Sequence, residues 1–172
     1  IVVEPMPGLQ GIAAPEETGA TFEENAIVKA AYYSRYVDGL LFADDSGLEV
    51  AALHGAPGVY SARFAGPEAT DDANNALLLE RLRGAADRSG QFVCVIAAAR
   101  HGELVKTFRG EVRGTILEAP RGPNGFGYDP LFYYPPFGCT FGEADLQRKM
   151  KVSHRAQALA AMFRALPHFT SA

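Results

Sequence analysis

Three observations in the sequence predict an α/β protein with a mixed sheet. Helical and strand-like patterns alternate through the first half of the 172 residues, a β-hairpin pattern follows, and a helical pattern comes last. Alternating elements are typical of α/β folds, and a hairpin adds antiparallel pairs to such a sheet. Because a chain of this length suits one hydrophobic core, residues 1–172 are predicted to form a single domain.

The first helix is predicted to begin after a long loop. Residues 4–20 are rich in proline, glycine and alanine, which favour irregular backbone. Thr21 and Glu24 occupy the N-cap and N3 positions of a capping box, so the helix is predicted to begin there. It is predicted to reach about Tyr36 and to end before Gly39.

An apolar strand is predicted next, at residues 40–43, and an acidic turn is predicted to interrupt it. The Asp-Asp-Ser-Gly segment at 44–47 consists of residues that favour turns. Residues 48–53 are predicted to resume as a strand or a short helix, and a loop over 54–67 follows.

The second half of the chain is predicted to contain a helix, a hairpin and a final helix. His101-Gly102 separates two apolar segments, as expected for a tight hairpin turn. Ser153 is a favourable N-cap for the last helix. The predicted elements are a helix at 71–83, strands at 91–100 and 103–112, an extension at 114–116 after a bulge, a loop at 120–127, a strand at 131–134 and a helix at 154–166.

The composition argues against several classes of function. The net charge is −4 and the only basic cluster lies at 148–155, so no polymeric nucleic-acid partner is expected. No stretch approaches the ~20 apolar residues of a membrane helix, so no membrane partner is expected. Cys94 and Cys139 are far apart in the sequence and match no metal-binding spacing. Because they indicate no disulfide framework, a cytoplasmic location is expected.

The carboxylates of Asp44 and Asp45 are candidates for a metal centre. Adjacent carboxylates at the end of a buried strand repel each other unless a cation compensates them, and Mg²⁺ prefers such hard oxygen ligands. Glu24 could provide a third carboxylate. Two alternatives stay open at this point: the acidic segment is an ordinary polar turn, and Glu24 serves only the capping box.

A second candidate group combines basic and aromatic side chains. His154 and Arg155 stand at a predicted helix N-terminus, where a bound acceptor group would explain their presence, and Lys149 is close in sequence. Phe126, in a glycine-rich loop, could stack on a base, or it is an ordinary core aromatic. Lys29 is either a phosphate contact or a solvated helix lysine.

Five short segments share one interpretation. They are 21–26 (TFEENA) with Lys29, 43–50 (ADDSGLEV), 55–66 (GAPGVYSARFAG), 125–130 (GFGYDP), and Lys149 with 153–155 (SHR). In this order and spacing they resemble the inosine triphosphate pyrophosphatase family, over about residues 18–166. The resemblance implies hydrolysis of deaminated purine nucleoside triphosphates (ITP, dITP and XTP) to the monophosphate and pyrophosphate.

The resemblance also implies a fold, a cofactor and a set of site residues. The implied fold is an elongated, two-lobed α/β structure with a central cleft, usually a homodimer, and the implied cofactor is Mg²⁺. Among the carboxylates, Asp45 resembles the general base and a metal ligand, Glu24 a metal ligand, and Asp44 a residue at the metal. The implied substrate-binding residues are Lys29, Ser46, Phe126, Gly127, Tyr128, Asp129, Lys149, His154 and Arg155, of which Phe126 to Asp129 line the base pocket.

One family motif has no match in the chain. Family members begin with a strand and a Ser/Thr-x-Asn-x-Gly-Lys motif, whose lysine and backbone N–H groups hold phosphates. No such motif occurs in the 172 residues, and the strand-like Ile1-Val2-Val3 opens in mid-pattern. We therefore expect the N-terminal strand and phosphate loop to lie before Ile1.

The implied reaction is attack of water on the α-phosphorus, with Asp45 as the base. A 6-oxo purine presents O6 and N7 as acceptors, so donors on His154 and Arg155 would favour it over adenine. Asp129 or a backbone carbonyl could accept from N1–H. Two other hypotheses stay open: a pyrophosphatase for other modified nucleotides, which a substrate panel would identify, and a nucleotide-binding module without catalysis, which would release no pyrophosphate.

Overall fold

The computed structural model describes residues 2–169 and confirms the α/β class. The helices are α1 (Phe22–Tyr33), α2 (Asp71–Arg81), α3 (Leu146–Met150) and α4 (His154–Ala165). The strands are β1 (Leu41–Val50), β2 (Ser89–Arg100), β3 (Glu103–Ile116), β4 (Phe132–Tyr134) and β5 (Cys139–Thr140). Short 3-10 turns join several of these elements.

The strands form one sheet in the order β1-β2-β3-β4-β5. The sequence predicted a mixed sheet, but every strand pairing within residues 2–169 is antiparallel. The connection between β1 and β2 explains the difference, because α2 and its C-cap residue pack through Leu78 and Leu82 at one end of the sheet and β2 returns beside β1. Val2 and Val3 are exposed and do not form the predicted strand, and Ile1 lies outside the described residues.

The acidic segment at 44–47 continues β1, so the prediction of a turn there is wrong. Its four residues pair in register with residues 96–93 of β2. Turn propensity is a local preference, and a continuous ladder with a buried neighbouring strand outweighs it. The predicted bulge near residue 114 is also displaced, because the register of the β2–β3 hairpin shifts between Ala98 and Ala99.

Helices α1 and α4 cover opposite faces of the sheet. On one face, α1 packs against Val93, Val95, Ala97 and Ala99 of β2; on the other, α4 packs against Cys94, Ile96 and Ala98. This division follows from the alternation of side chains along a strand. A third cluster, at the end of the sheet, joins α2 to the aromatic side chains of Phe92, Phe132 and Phe141.

Local signals in the sequence locate the helix starts and the hairpin. Thr21 and Ser153 cap α1 and α4, accepting from backbone N–H groups at 3.1 and 3.2 Å, which confirms both predicted starts. A 3-10 turn, Ser34–Tyr36, completes the first predicted helix. The predicted turn at His101-Gly102 joins β2 to β3. Within residues 2–169, each helix is too short or too polar to cross a lipid bilayer.

Candidate active site

The pleat of β1 directs its two adjacent carboxylates to opposite faces of the sheet. Asp45 points towards α1, where it contacts Lys29 and Asn25. Asp44 points towards α4, where it contacts Arg155. The two carboxylates that were predicted to share one metal therefore do not converge.

Two side chains of α1 hold the Asp45 carboxylate. Lys29 Nζ donates to Oδ1 at 2.9 Å, and Asn25 Nδ2 donates to Oδ2 at 3.3 Å. Lys29 also lies 3.2 Å from Glu17 and is mostly buried, so it is not the solvated lysine of the alternative. Burial raises the pKa of Asp45 above its usual value, and the hydrogen bond and charge of Lys29 offset this only in part.

Arg155 holds Asp44 on the other face of β1. Its Nη2 and Nε donate to Oδ2 of Asp44 at 3.0 and 3.3 Å, and its Nη2 also donates to Ser46 Oγ at 3.3 Å. The Cys94 thiol lies 3.6 Å from the same Asp44 oxygen. Burial, reinforced by the negative charge of Asp44, raises the pKa of Cys94 to about 12, so the thiol stays protonated.

A cavity of about 240 Å³ opens beside Ser46. It lies where the α4 side of the sheet meets the aromatic end cluster. Of the predicted site residues, the structure brings Ser46, Phe126, Gly127, Tyr128, Asp129, Lys149, His154 and Arg155 to its wall. Lys29 and the three carboxylates Glu24, Asp44 and Asp45 are not part of that wall.

A buried ion pair and an exposed aromatic ring form one side of the cavity. Lys149 donates to Asp129, and both side chains are almost fully buried. The Lys149 ammonium also lies 4.6 Å from the centre of the Phe126 ring. Phe126 is 66% exposed, so the alternative that it is a core aromatic is wrong. An exposed ring at a cavity rim is available for stacking.

His154 presents a neutral imidazole to the cavity. Its ring stacks on Phe92, with centroids 5.1 Å apart, and its Nδ1 has no hydrogen-bond partner among the described residues. Burial, with the nearby charges of Arg155 and Lys149, lowers the pKa of His154 to about 4. Since a buried unpaired nitrogen is costly, a ligand atom that pairs with it would be favoured.

A close backbone approach builds the opposite wall. Gly47 of β1 touches the 3-10 turn Gly58–Arg63, and a Cβ on Gly47 would collide with Ser61 Oγ. Ser61 Oγ accepts from the Leu48 N–H at 2.9 Å, and its carbonyl accepts from the Tyr128 hydroxyl at 2.7 Å. Tyr128 therefore closes this side of the cavity.

Glu24 folds back over the start of α1, as the capping alternative requires, but it pairs with the residue before the N-cap and does not complete the capping box. Its Oε2 accepts from the Ala20 N–H at 2.6 Å, one residue before the N-cap Thr21. Within residues 2–169, no group of three or more His, Cys, Asp or Glu side chains is gathered closely enough to hold a metal ion. A cage made wholly of such side chains is therefore not formed by this part of the chain.

Sequence reasoning missed several residues of the site. Asn25 and Ser61 lie within the recognised segments 21–26 and 55–66, and that membership was the available signal. Asp71 and Asn74 line the cavity from α2, but their positions in the sequence carry no sign of this role. Only the packing of α2 against the end of the sheet brings them to the cavity.

Comparison with known proteins establishes the family. The model of the Ham1 family matches residues 1–165. The chain belongs to the Ham1 family. A dITP/XTP pyrophosphatase of Acidobacterium capsulatum is 52% identical over 95% of this chain and 85% of that protein.

Solved Ham1-family structures have the same fold. The Staphylococcus aureus Ham1 protein matches with a TM-score of 0.89 at 43% identity, over 94% of this chain and 84% of that one. A HAM1 protein from Coxiella burnetii matches with a TM-score of 0.87 at 44% identity, over 92% and 82%. The predicted resemblance is thereby confirmed.

The depressed pKa of His154 predicts a loss of stability in acid. An unfolded histidine titrates near 6.5, whereas the folded one titrates at about 4. The stability contributed by neutral His154 is therefore complete above about pH 6.5 and is lost progressively as pH falls from there to about 4, a total of about 3 kcal/mol. In urea unfolding measured between pH 7 and 4.5, H154N is expected to lose less stability than the wild type.

The matched control for this prediction is H101N. His101 is exposed in the hairpin turn, and its φ of 52° is one that asparagine tolerates. H101N should keep the pH dependence of the wild type. An H154N protein whose stability kept the pH dependence of the wild type would contradict the lowered pKa of His154.

Proposed function

We propose that this Ham1-family protein hydrolyses deaminated purine nucleoside triphosphates (ITP, dITP and XTP) to the monophosphate and pyrophosphate. One observation carries the proposal: consecutive residues of β1 contribute to two different sites. Ser46 forms part of the cavity wall, and Asp45 is a partly buried carboxylate on the α1 face. A nucleotide whose base lies in the cavity would have to extend its phosphates around β1, which is the edge strand of the described sheet, to reach Asp45. The names of the curated relatives support this substrate class.

The cavity suits a 6-oxo purine. A neutral imidazole carries one N–H, and with that hydrogen on the unpaired Nδ1, His154 can donate to purine O6 or N7. Arg155 adds further donors beside it. Phe126 provides the stacking face at the rim. Adenine presents an N6 donor at the same edge and would leave the donors of the site unpaired.

Asp45 is the proposed general base. Lys29 and Asn25 fix its two oxygens, and burial makes it a stronger base by raising its pKa. A water held by Asp45 transfers its proton to the carboxylate and attacks the α-phosphorus. The bond from that phosphorus to the oxygen bridging the α- and β-phosphates breaks, and pyrophosphate leaves with the electron pair.

Mg²⁺ is the proposed cofactor, and the charges of the site favour a cation. Lys29, Lys149 and Arg155 are already paired with Asp45, Asp129 and Asp44, so these six groups are neutral together. A triphosphate needs further positive charge, which bound Mg²⁺ supplies by neutralising the phosphate oxygens.

The available carboxylates fit such an ion. Mg²⁺ is commonly bound by one or two carboxylates together with substrate phosphates, so it does not require a protein cage. Asp45 lies beside the first turn of α1, which carries Glu24, and both provide hard oxygen donors. Glu24 would exchange its bond to the Ala20 N–H for the ion. Asp44, on the other face of β1, would act through its charge.

Lys29 is proposed to contact the phosphates of the substrate. Homodimer formation, a cytoplasmic location and the upstream phosphate-binding motif stay predictions.

A substrate panel tests the proposed base selectivity. In a pyrophosphate-release assay, kcat/KM for ITP and XTP should exceed that for ATP by roughly 10⁴, because adenine leaves buried donors unpaired. GTP should also be a poor substrate, because its 2-amino group is a donor at the position where xanthine has an acceptor and hypoxanthine has only a hydrogen. Equal kcat/KM values for ITP and GTP, or for ITP and ATP, would contradict base selection by this cavity.

Substituting Asp45 tests the proposed base. D45N keeps the shape of the side chain but removes its basicity, so kcat for ITP should fall by about 10² or more. The control is D38N, which removes an exposed carboxylate from the turn before β1 and should retain wild-type kcat. A folded D45N protein with near-normal kcat would rule out Asp45 as the base.

Removal of divalent cations tests the proposed cofactor. Excess EDTA should abolish pyrophosphate release from ITP, and Mg²⁺ added above the EDTA concentration should restore it. Release that continues at the full rate in EDTA would show that the reaction needs no divalent ion.

A further inference from the structure

Helix α2 holds the loop that carries Phe126 through two hydrogen bonds, one to the backbone N–H and one to the backbone carbonyl of Gly127. Asp71 Oδ2 accepts from the Gly127 N–H at 2.6 Å, and Asn75 Nδ2 donates to the Gly127 carbonyl at 2.9 Å. Asp71 and Asn75 are four residues apart and so lie on the same side of the helix. Gly127 has a φ of 60°, a conformation that favours glycine, so its peptide groups are presented by a specific turn.

The loop is a closed turn that needs an external support. Asp129 Oδ2 accepts from the Phe126 N–H at 3.0 Å, and the Asp129 N–H donates to the Phe126 carbonyl at 3.2 Å. These bonds fix the shape of the turn from Phe126 to Asp129. Where the turn stands relative to the cavity depends on its contacts with other elements, including the bonds from α2.

The support provided by α2 is itself well anchored. Leu78 and Leu82 are fully buried in the end cluster. Near the start of the helix, the buried Asn74 accepts from the Ala65 N–H at 2.8 Å and donates to the Ala62 carbonyl at 3.1 Å. Because Asn74 and Ala62 also line the cavity, α2 joins one cavity wall to the Phe126 loop.

We propose that Asp71 and Asn75 are positioning residues for base recognition. They hold Gly127 against α2 and so set the place of the Phe126 ring at the rim of the cavity, where a purine would stack. Neither side chain needs to touch the reacting phosphates. This inference rests on the proposed placement of the base in the cavity.

Asp71 also has a purely structural role from which this one must be separated. It stands in the first turn of α2, where a negative charge interacts favourably with the helix dipole. Asp72 is the next residue of the same turn, and it is also acidic and exposed. D72A therefore removes a comparable dipole interaction without removing the bond to Gly127, and it is the matched control for D71A.

Steady-state kinetics with ITP provide the first test. D71A is expected to raise KM about tenfold with kcat within about twofold, because a charge-assisted bond that orders the binding loop is lost. N75A is expected to raise KM in the same way. D71N should recover a KM close to wild type, since its amide oxygen can still accept from the Gly127 N–H. D72A should leave KM unchanged.

Three kinetic results would overturn the proposal. The first is an equal rise in KM for D71A and D72A, which would assign the effect to helix stability. The second is a D71N protein as impaired as D71A, which would assign it to charge. The third is a loss of kcat with unchanged KM. If D71A does not fold, the KM of N75A is compared with that of D72A, and an equal rise in both would overturn the proposal.

Fluorescence provides a test that does not depend on turnover. The chain contains no tryptophan, so the F126W variant has a single indole at the cavity rim. Binding of ITP with Mg²⁺ present, in the D45N background to slow hydrolysis, should change the emission of this indole, and adding D71A should shift the midpoint about tenfold upwards, as for KM. Adding D72A should not shift it.

The two tests separate this inference from the proposed function. If the indole of F126W responds to ITP but D71A shifts neither KM nor the midpoint, the positioning role fails and the base placement stands. If the indole does not respond while the protein still releases pyrophosphate from ITP, the base does not bind at this rim. The positioning role then fails with that placement.

Discussion

The alternation of side chains along β1 is the constraint on which the rest of the site depends. It sends Asp45 to α1 and Asp44 to α4, so one strand is tied to the helices on both faces of the sheet. The next residue, Ser46, then reaches the cavity. A turn at this position, as sequence propensity favours, would present both carboxylates to solvent and would leave the cavity without this wall.

Three ion pairs of the site connect elements that are distant in sequence, and they contribute differently to stability. They are Asp45–Lys29, Asp44–Arg155 and Asp129–Lys149. Asp44–Arg155 is half exposed, and such pairs contribute at most about 1 kcal/mol to stability. Asp129–Lys149 is nearly fully buried, and removing one partner of such a pair leaves an uncompensated charge, which costs about 3–5 kcal/mol. The pairs also fix the orientation of side chains before a substrate arrives, so little reorganisation is needed on binding.

The sequence predicts best what local interactions determine. The caps at Thr21 and Ser153 depend on residues within one turn, and both are found as predicted. The antiparallel sheet and the strand through 44–47 depend on pairing with β2, some fifty residues away, which local propensity does not contain. Asp71 reaches the cavity for the same reason, because only the packing of α2 at the end of the sheet brings it there.

The neutral imidazole of His154 links the electrostatics of the site to its selectivity. Burial, together with the charges of Arg155 and Lys149, raises the cost of a positive charge on the ring and keeps one of the groups predicted to bind the base uncharged. One nitrogen of this ring has no hydrogen-bond partner among the described residues, and a complex that left it buried and unpaired would lose about 1–3 kcal/mol. A ligand that pairs with this nitrogen avoids this loss, whereas one that presents the wrong group does not. The polar group that needs a partner in the cavity is therefore also the one that would distinguish between bases.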